Sequence, residues 1–363
     1  MPIDFSPARW DRVKQTYDAW WAGTLERPAV SIQLYGRDPG RPMPSAALLS
    51  QSTCMDLSVP AEQVIDCIDY ELSRITYLGD AFPYFNLDCF GPGVLAAFCG
   101  ARMDNSSGRV WFFPEKVVPL SELHLEYDAN NVWLNRIKEI CRAGMRRWQG
   151  QVLIGMADLG GILDILSSFR TTENLLMDLY DEPQEVERLI WEVHTLWHRC
   201  FDEINEALRP ETPGYSDWLG IYSDQPCYVL QSDFAYMIGP DMFDRFVKPE
   251  LMASCRRLPH SMYHLDGVGQ LAHLDSLLQI QELNGVQWVP GDGKPGVTEW
   301  PDVQRKISRA GKRLHSWWGD LSALDVLKEQ IGSGGRGLFF RAAMHGPEGE
   351  AEIRERLKRH GVE

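Results

Sequence analysis

The chain has 363 residues, of which 44% are hydrophobic and 24% charged, and this composition predicts a folded protein rather than a disordered one. Its formal net charge of -15, with no stripe of Lys or Arg, argues against nucleic acid as a partner because the phosphate backbone would be repelled. No apolar run reaches the roughly 18 residues that a membrane span needs, and residues 1–6 lack a basic or apolar leader, so we expect a cytoplasmic protein with no membrane partner.

The first third of the chain has the pattern of an N-terminal extension. Its predicted elements are a capped amphipathic helix at 6–25, a strand at 28–35, a helix at 60–78 and a region of loops and hairpins at 82–119. We interpret residues 1–150 as helices and loops that elaborate a single domain spanning residues 1–363.

Strands and helices alternate from residue 151 onward. Short apolar runs predict strands at 152–157, 218–222, 261–265, 286–289, 314–318 and 337–343. Amphipathic segments predict helices between them, the clearest being 183–208, 240–257, 270–283, 301–310, 323–330 and 347–360. Strands that alternate with helices form parallel sheets, and this pattern favours an α/β fold of the (β/α)8 TIM barrel type. A dinucleotide-binding sheet is disfavoured because no Gly-rich turn follows the first strand.

The strand end Tyr263-His264-Leu265-Asp266-Gly267 is the sharpest candidate for an active site, since barrel enzymes place their catalytic groups at such ends. Positions i and i+2 of a strand point to one side, so His264 and Asp266 are expected to project together. Such a pair can ligate one metal ion or form an acid/base couple. A histidine that simply contacts a neighbouring carboxylate is the structural alternative, and the pentapeptide leaves both open.

Other strand ends contribute further candidates. His345 follows the final strand and is predicted to reach the same pocket as the third member of the site, whereas Asp233 is a further catalytic candidate. Aromatic rings at strand ends suit a planar or methylated substrate. The predicted substrate-binding residues are Tyr263, Trp218, Trp288, Trp317, Asp158 and Tyr222, with Asp292 and Asp320 as further candidates for orienting the substrate.

Several segments together resemble the uroporphyrinogen decarboxylase superfamily. They are Asp233-Phe234-Ala235-Tyr236-Met237-Ile238-Gly239-Pro240, Phe246-Val247-Lys248-Pro249-Glu250-Leu251, the strand with His264 and Asp266, the strand with Trp288, and the strand end His345-Gly346. The resemblance covers roughly residues 150–350, and the segment 90–93 adds support upstream. It implies one barrel shared by two branches, which are metal-free tetrapyrrole decarboxylases and zinc-dependent methyltransferases that use corrinoids and thiols.

The chain departs from both branches of the superfamily. The methyltransferase branch has H-x-C where this chain has His264-x-Asp266, and a second cysteine where it has Met344-His345. A zinc site made of His264, Asp266 and His345 is still expected, because imidazole and carboxylate both bind zinc. The decarboxylase branch also ends its last strand in His-Gly, but its N-terminal arginine-rich signature is missing here.

The resemblance favours a methyltransferase-like enzyme that moves a methyl group from a small methylated organic substrate to a corrinoid or thiol acceptor, with zinc as the expected metal. One alternative is a metal-free decarboxylase or lyase that uses His264 and Asp266 as an acid/base pair. Another is a non-catalytic barrel that binds a ligand. A corrinoid carrier protein is an expected partner of the methyltransferase, and the oligomeric state stays open, with a dimer as one alternative.

Overall fold

The computed structural model of the chain describes residues 2–209, 211–317, 321–346 and 349–363, without the side chain of Trp317. A seven-stranded sheet lies at the centre of these residues, and helices cover it. One contiguous apolar core runs from Ile3 to Leu357 and joins the N-terminal region to the C-terminal helix. None of the described helices is both long and apolar enough to span a bilayer.

The strands form the central sheet and two separate pairs. They are β1 (Ala29–Tyr35), β2 (Ile75–Gly79), β3 (Tyr84–Phe85), β4 (Arg102–Asp104), β5 (Trp111–Phe113), β6 (Leu153–Ile154), β7 (Cys227–Gln231), β8 (His260–Asp266), β9 (Gly285–Val289), β10 (Arg313–Trp317) and β11 (Leu338–His345). The central order is β2-β1-β11-β10-β9-β8-β7, in which β2 alone is antiparallel to its neighbour. Strands β3 and β6 pair in parallel, and β4 and β5 form an antiparallel hairpin.

The helices lie mostly in the intervals between these strands. They are α1 (Pro7–Ala22), α2 (Ala61–Ser73), α3 (Leu95–Phe98), α4 (Val132–Trp148), α5 (Ile162–Arg170), α6 (Thr172–Asp181), α7 (Pro183–Leu208), α8 (Pro240–Phe246), α9 (Lys248–Arg257), α10 (Leu274–Leu278), α11 (Pro301–Arg309), α12 (Ser322–Ile331) and α13 (Glu350–Arg359). Helix α1 begins as its sequence predicts, because the Ser6 hydroxyl accepts a hydrogen bond from the Arg9 N–H and Pro7 occupies the first turn.

The predicted α/β class is confirmed by this largely parallel sheet with its intervening helices. Strand β11 pairs with β1, so the last strand lies beside the first, as a closing barrel requires. Among the described residues, however, the hydrogen-bonded ladder has edges at β2 and β7, and β3 and β6 form their own pair. The closed (β/α)8 barrel therefore stays a prediction.

Several predicted elements differ from the structure, and two are shorter than predicted, since the strand at 152–157 is reduced to β6 and the helix at 270–283 to a 3-10 turn and α10. Residues 218–222 form a turn rather than a strand, because the Asp217 carboxylate accepts the Leu219 N–H at 2.9 Å and folds the backbone back. The strand of this part of the chain is β7 instead. The predicted helix 240–257 divides into α8 and α9 at Val247, since Pro249 has no N–H to continue the helix. The predicted helix 60–78 ends at Ser73 and β2 follows.

A buried ion pair fastens the start of β1 to the end of β2. The Arg27 guanidinium donates to both carboxylate oxygens of Asp80, at 2.7 and 2.9 Å, and the Val30 N–H donates to the same carboxylate at 2.9 Å. Asp80 is 5% exposed and the Arg27 side chain is 20% exposed, so removal of Asp80 leaves a largely desolvated cation and a buried N–H without their acceptor.

We expect Asp80→Ala to lower the free energy of unfolding by about 3 kcal/mol, because breaking one side of a buried pair strands the other charge. Glu187→Ala, which breaks the exposed pair with Arg245, is the matched control and should cost less than about 1 kcal/mol. Urea denaturation measures both values. Equal losses in the two variants would contradict a special role for the buried pair.

Candidate metal and active site

The register of the parallel strands places four polar side chains in one row. Gln231 of β7 lies beside His264 of β8, which lies beside Gln287 of β9, and His315 of β10 continues the row. Neighbours in a parallel register point to the same face of the sheet, and Gln231, Gln287 and His315 are buried there. The sheet therefore presents a polar row where its strands would otherwise carry apolar residues.

His264 is held by a partner on the next strand. Its Nδ1 lies 2.6 Å from the Gln287 Oε1, and an amide oxygen only accepts, so Nδ1 carries the proton and donates it. The Trp218 ring meets the imidazole edge to face, with 5.0 Å between centroids. In the neutral imidazole this arrangement leaves the lone pair on Nε2. A histidine nitrogen with a free lone pair can bind a metal or accept a proton.

Three ligand atoms converge at the Nε2 side of this imidazole. One ligand atom each of Asp233, His264 and Asp266 lies within 4.8 Å of the other two, and the His264 Nε2 is 3.9 Å from the Asp266 Oδ2. Asp233 is placed by Asp164, whose carboxylate accepts the N–H groups of Asp233 at 3.0 Å and of Phe234 at 2.7 Å. The cluster can therefore hold one cation.

Gly267 allows the chain to turn immediately after Asp266, as its position in the pentapeptide predicts. Its φ is +85°, and a Cβ atom there would lie 2.8 Å from the Tyr236 ring. Its N–H donates to the Val289 carbonyl oxygen at 2.8 Å. The close approach of Tyr236 and the left-handed backbone both require glycine here.

Carboxyl groups with raised pKa values surround the cluster. Burial raises the pKa of Asp158 to about 8, and the negative charges of Asp233 and Asp164 add to this effect. Burial and the neighbouring Asp233 together raise the pKa of Asp164 to about 7. Loss of hydration also raises the pKa of Asp233, where His264 opposes the shift and Asp266 adds to it. The site thus concentrates negative charge that a cation would stabilise.

His345 does not join the three ligand atoms. It lies at the exposed end of β11, where its ring stacks on Tyr35 with 5.2 Å between centroids. In the part of the chain that the structure describes, the group of residues able to hold a metal contains Asp233, His264 and Asp266. The structure therefore brings Asp233 to the position that the sequence suggested for His345.

The predicted substrate-binding residues are divided among several places. Trp218 and Asp158 lie at the site, as described above. Tyr263 and Trp288 belong to the opposite face of the sheet, where the Tyr263 hydroxyl donates to Gln270 at 3.1 Å and Trp288 packs against Trp300. Tyr263 is next to His264 on β8, and Trp288 is next to Gln287 on β9. Because adjacent residues of a strand point to opposite faces, both aromatic side chains lie on the face away from the site.

Tyr222 packs in the aromatic core beside α1, and its hydroxyl donates to the Pro213 carbonyl oxygen at 3.2 Å. Asp292 is exposed in the loop after β9. The side chain of Trp317 and the whole of Asp320 lie outside the described residues.

Gln231, Gln287, Asp164 and Arg341 are site residues that the sequence analysis did not select. Arg341 points from β11 toward the turn 218–222, donates to the Leu219 carbonyl oxygen at 3.0 Å and covers the Tyr84 ring. Asp164, Gln287 and Arg341 are each a single polar residue within an apolar run, such as Gln287 between Val286 and Trp288, whereas Gln231 ends its run and is followed by Ser232 and Asp233. A polar group inside a buried run needs a partner, and this pattern is the signal that the sequence offers for the first three.

Comparisons with known proteins add one result. No protein family and no curated protein matches the sequence. Among solved structures, the chain is similar to a methyltransferase from Methanosarcina mazei, with a TM-score of 0.56 and 13% sequence identity over 89% of this chain and 95% of that chain. At this identity the likeness shows a shared fold.

The raised pKa of Asp158 predicts a pH-dependent effect of Asp158→Asn, which keeps an acceptor for the Gly160 N–H that Asp158 binds at 3.0 Å. An unfolded aspartate has a pKa of about 3.9, so the folded chain holds this proton more tightly and loses stability as the pH rises from about 4 to about 8. The variant avoids this loss. Its melting temperature relative to the wild type should therefore be higher at pH 8 than at pH 5.

If the melting temperatures of Asp158→Asn and the wild type differ by the same amount at pH 5 and at pH 8, the raised pKa of Asp158 is contradicted. Asp302→Asn, which changes an exposed aspartate on α11, is the control and should show no such trend.

Proposed function

We propose that the chain is a metal-dependent, methyltransferase-like enzyme in which Asp233, His264 and Asp266 hold a zinc ion. The observation that carries this proposal is the convergence of the three ligand atoms on an imidazole whose other nitrogen is fixed by Gln287. Its proposed reaction moves a methyl group from a small methylated organic substrate to a thiol or corrinoid acceptor. The chain shares its fold with a protein named as a methyltransferase, and this supports the proposed reaction class.

The donor set fits zinc. Imidazole nitrogen and carboxylate oxygen both bind zinc, and three protein ligands leave a fourth position open for substrate or acceptor. The imidazole disfavours magnesium and calcium, which prefer oxygen ligands throughout. When bound, zinc supplies Lewis acidity that lowers the pKa of a coordinated thiol.

The residues of the chain prepare this site in distinct ways. Gln287 fixes the tautomer and orientation of His264, and Asp164 fixes the backbone that carries Asp233. Trp218 covers the imidazole edge and limits the access of water from that side.

An acceptor thiol has to come from outside the chain. Burial raises the pKa of all eight cysteines, which therefore stay protonated, and the metal-holding group of described residues contains none of them. We propose a small thiol or a corrinoid, the latter on a carrier protein, as the acceptor. We further propose that the strands close into the eight-stranded barrel and that the chain functions in the cytoplasm.

A metal-free lyase is the second candidate, and the pKa of about 8 at Asp158 favours it. A carboxyl group that stays protonated near neutral pH can act as a general acid. Its buried position beside the cluster would allow proton delivery to a substrate held by His264. Elemental analysis of the purified protein separates this candidate from the zinc enzyme.

Removal of His264 tests the zinc site. We expect the wild type to bind one zinc per chain and His264→Ala to lose it, because two carboxylates alone make a weak zinc site. His345→Ala is the matched control and should keep the full zinc content. Metal analysis after gel filtration measures the zinc content of the wild type and of the two variants. Zinc retained by His264→Ala, or lost by His345→Ala, would place the ion elsewhere.

Changes at Gln287 test how the imidazole is held. Gln287→Leu removes the acceptor for Nδ1 and should weaken zinc binding by about 10- to 100-fold, as loss of such a partner commonly does. Gln287→Glu keeps an acceptor and should retain affinity within a few-fold of the wild type. Competition with a chromophoric chelator gives the affinities. Equal weakening by both variants would show that Gln287 acts through packing alone.

A further inference from the structure

A cavity of about 480 Å³ opens next to the Asp233 end of the cluster. Helix α5, the β4–β5 hairpin and the segment that follows β7 form its walls. Its volume is within the range of small-molecule sites, which is roughly 300–1,000 Å³. Asp233 lines this cavity and also belongs to the proposed zinc cluster, so a molecule bound in the cavity would lie beside the metal site.

One wall of the cavity is aromatic. Trp111, Phe112, Phe113 and Phe234 line it, and Trp111 is 57% exposed although it is the largest apolar side chain of the hairpin. The Arg102 guanidinium already lies over the Phe113 ring, 5.2 Å from its centroid. The ring faces of the hairpin thus suit a cation, and the exposed Trp111 is available to a ligand.

The charged residues of the same cavity are acidic. Asp164, Glu173 and Asp233 line it, whereas no Lys, Arg or His is among the described residues that do. An anionic ligand would therefore be repelled. A cationic ligand would be attracted by these acidic groups and would also meet the aromatic side chains of the lining.

We infer that this cavity binds a small alkylated ammonium cation. The carboxyl groups of the lining balance its charge, and its alkyl groups contact Trp111 and Phe112. This inference rests on the proposed function, because it names the chemical class of the methylated substrate. Its basis in the cavity is separate from the zinc ligands His264 and Asp266.

Titration calorimetry with N,N-dimethylethanolamine, tetramethylammonium and the neutral isostere 3-methyl-1-butanol tests this inference on both zinc-loaded and metal-free protein. We expect the dimethylammonium compound and tetramethylammonium to bind with affinities within a few-fold of each other, and the neutral alcohol not to bind measurably. No binding of the dimethylammonium compound at millimolar concentration, or equal binding of the alcohol, would overturn the inference.

Variants on the exposed walls locate the binding site. Trp111→Ala and Glu173→Gln should each weaken binding of the dimethylammonium compound by about 3- to 30-fold, in keeping with the strength of cation–π contacts. Trp191→Ala removes an exposed tryptophan on α7 that is not among the residues lining the cavity, so it is the matched control and should bind as the wild type does. Binding unaffected by both wall variants would place the ligand elsewhere and contradict the assignment.

His264→Ala distinguishes failure of this inference from failure of the zinc site. We expect this variant to keep the cation within a few-fold of the affinity of metal-free wild type, because His264 does not line the cavity. If the wild type binds zinc through His264 but not the ammonium, the substrate class is wrong and the proposed function stands. If the wild type binds the ammonium but takes up no zinc when zinc is supplied, the cavity assignment stands and the zinc-dependent function fails.

Discussion

The parallel register of β7, β8 and β9 is the constraint on which the site depends. It aligns Gln231, His264 and Gln287 on one face, and the 2.6 Å hydrogen bond from His264 to Gln287 exists only in this alignment. A shift of one strand by one residue would turn His264 toward the helices and bring Leu265 to the site. Burial of the apolar residues on the opposite face of the sheet opposes such a shift. Their packing against the helices therefore keeps Gln231, His264 and Gln287 in register.

The second organising feature is negative charge held out of water. Asp164 binds the backbone N–H groups that place Asp233, and it also lines the aromatic cavity. Carboxylates kept this close and this poorly hydrated take up protons more readily, which is why the pKa values of Asp158 and Asp164 are raised. A metal ion at the cluster and an organic cation in the cavity would each relieve the same repulsion, and Asp233 connects the two positions.

Local periodicity predicted much of the fold and the centre of the site. Helix α7 and strand β8 have clear amphipathic or alternating patterns, and His264 and Asp266 follow from the alternation on β8. Strand β7 and the turn at 218–222 have similar short apolar runs, so local composition does not tell the strand from the turn. The partnership of His264 with Gln287 and the approach of Asp233 depend on pairing between distant segments, which local sequence patterns do not encode. The position of His345 just past the final strand, supported by the resemblance, predicts it at the site, and the structure places it against Tyr35.

The central claim is that zinc binds between Asp233, His264 and Asp266, and locating the metal in a zinc-loaded crystal tests it most directly. Anomalous diffraction on the two sides of the zinc absorption edge identifies both the element and its position. We predict one strong peak per chain, within bonding distance of the His264 Nε2 and of carboxylate oxygens of Asp233 and Asp266, with no sulfur ligand. A peak at His345 or at a cysteine, or no ordered peak at saturating zinc, would contradict the account.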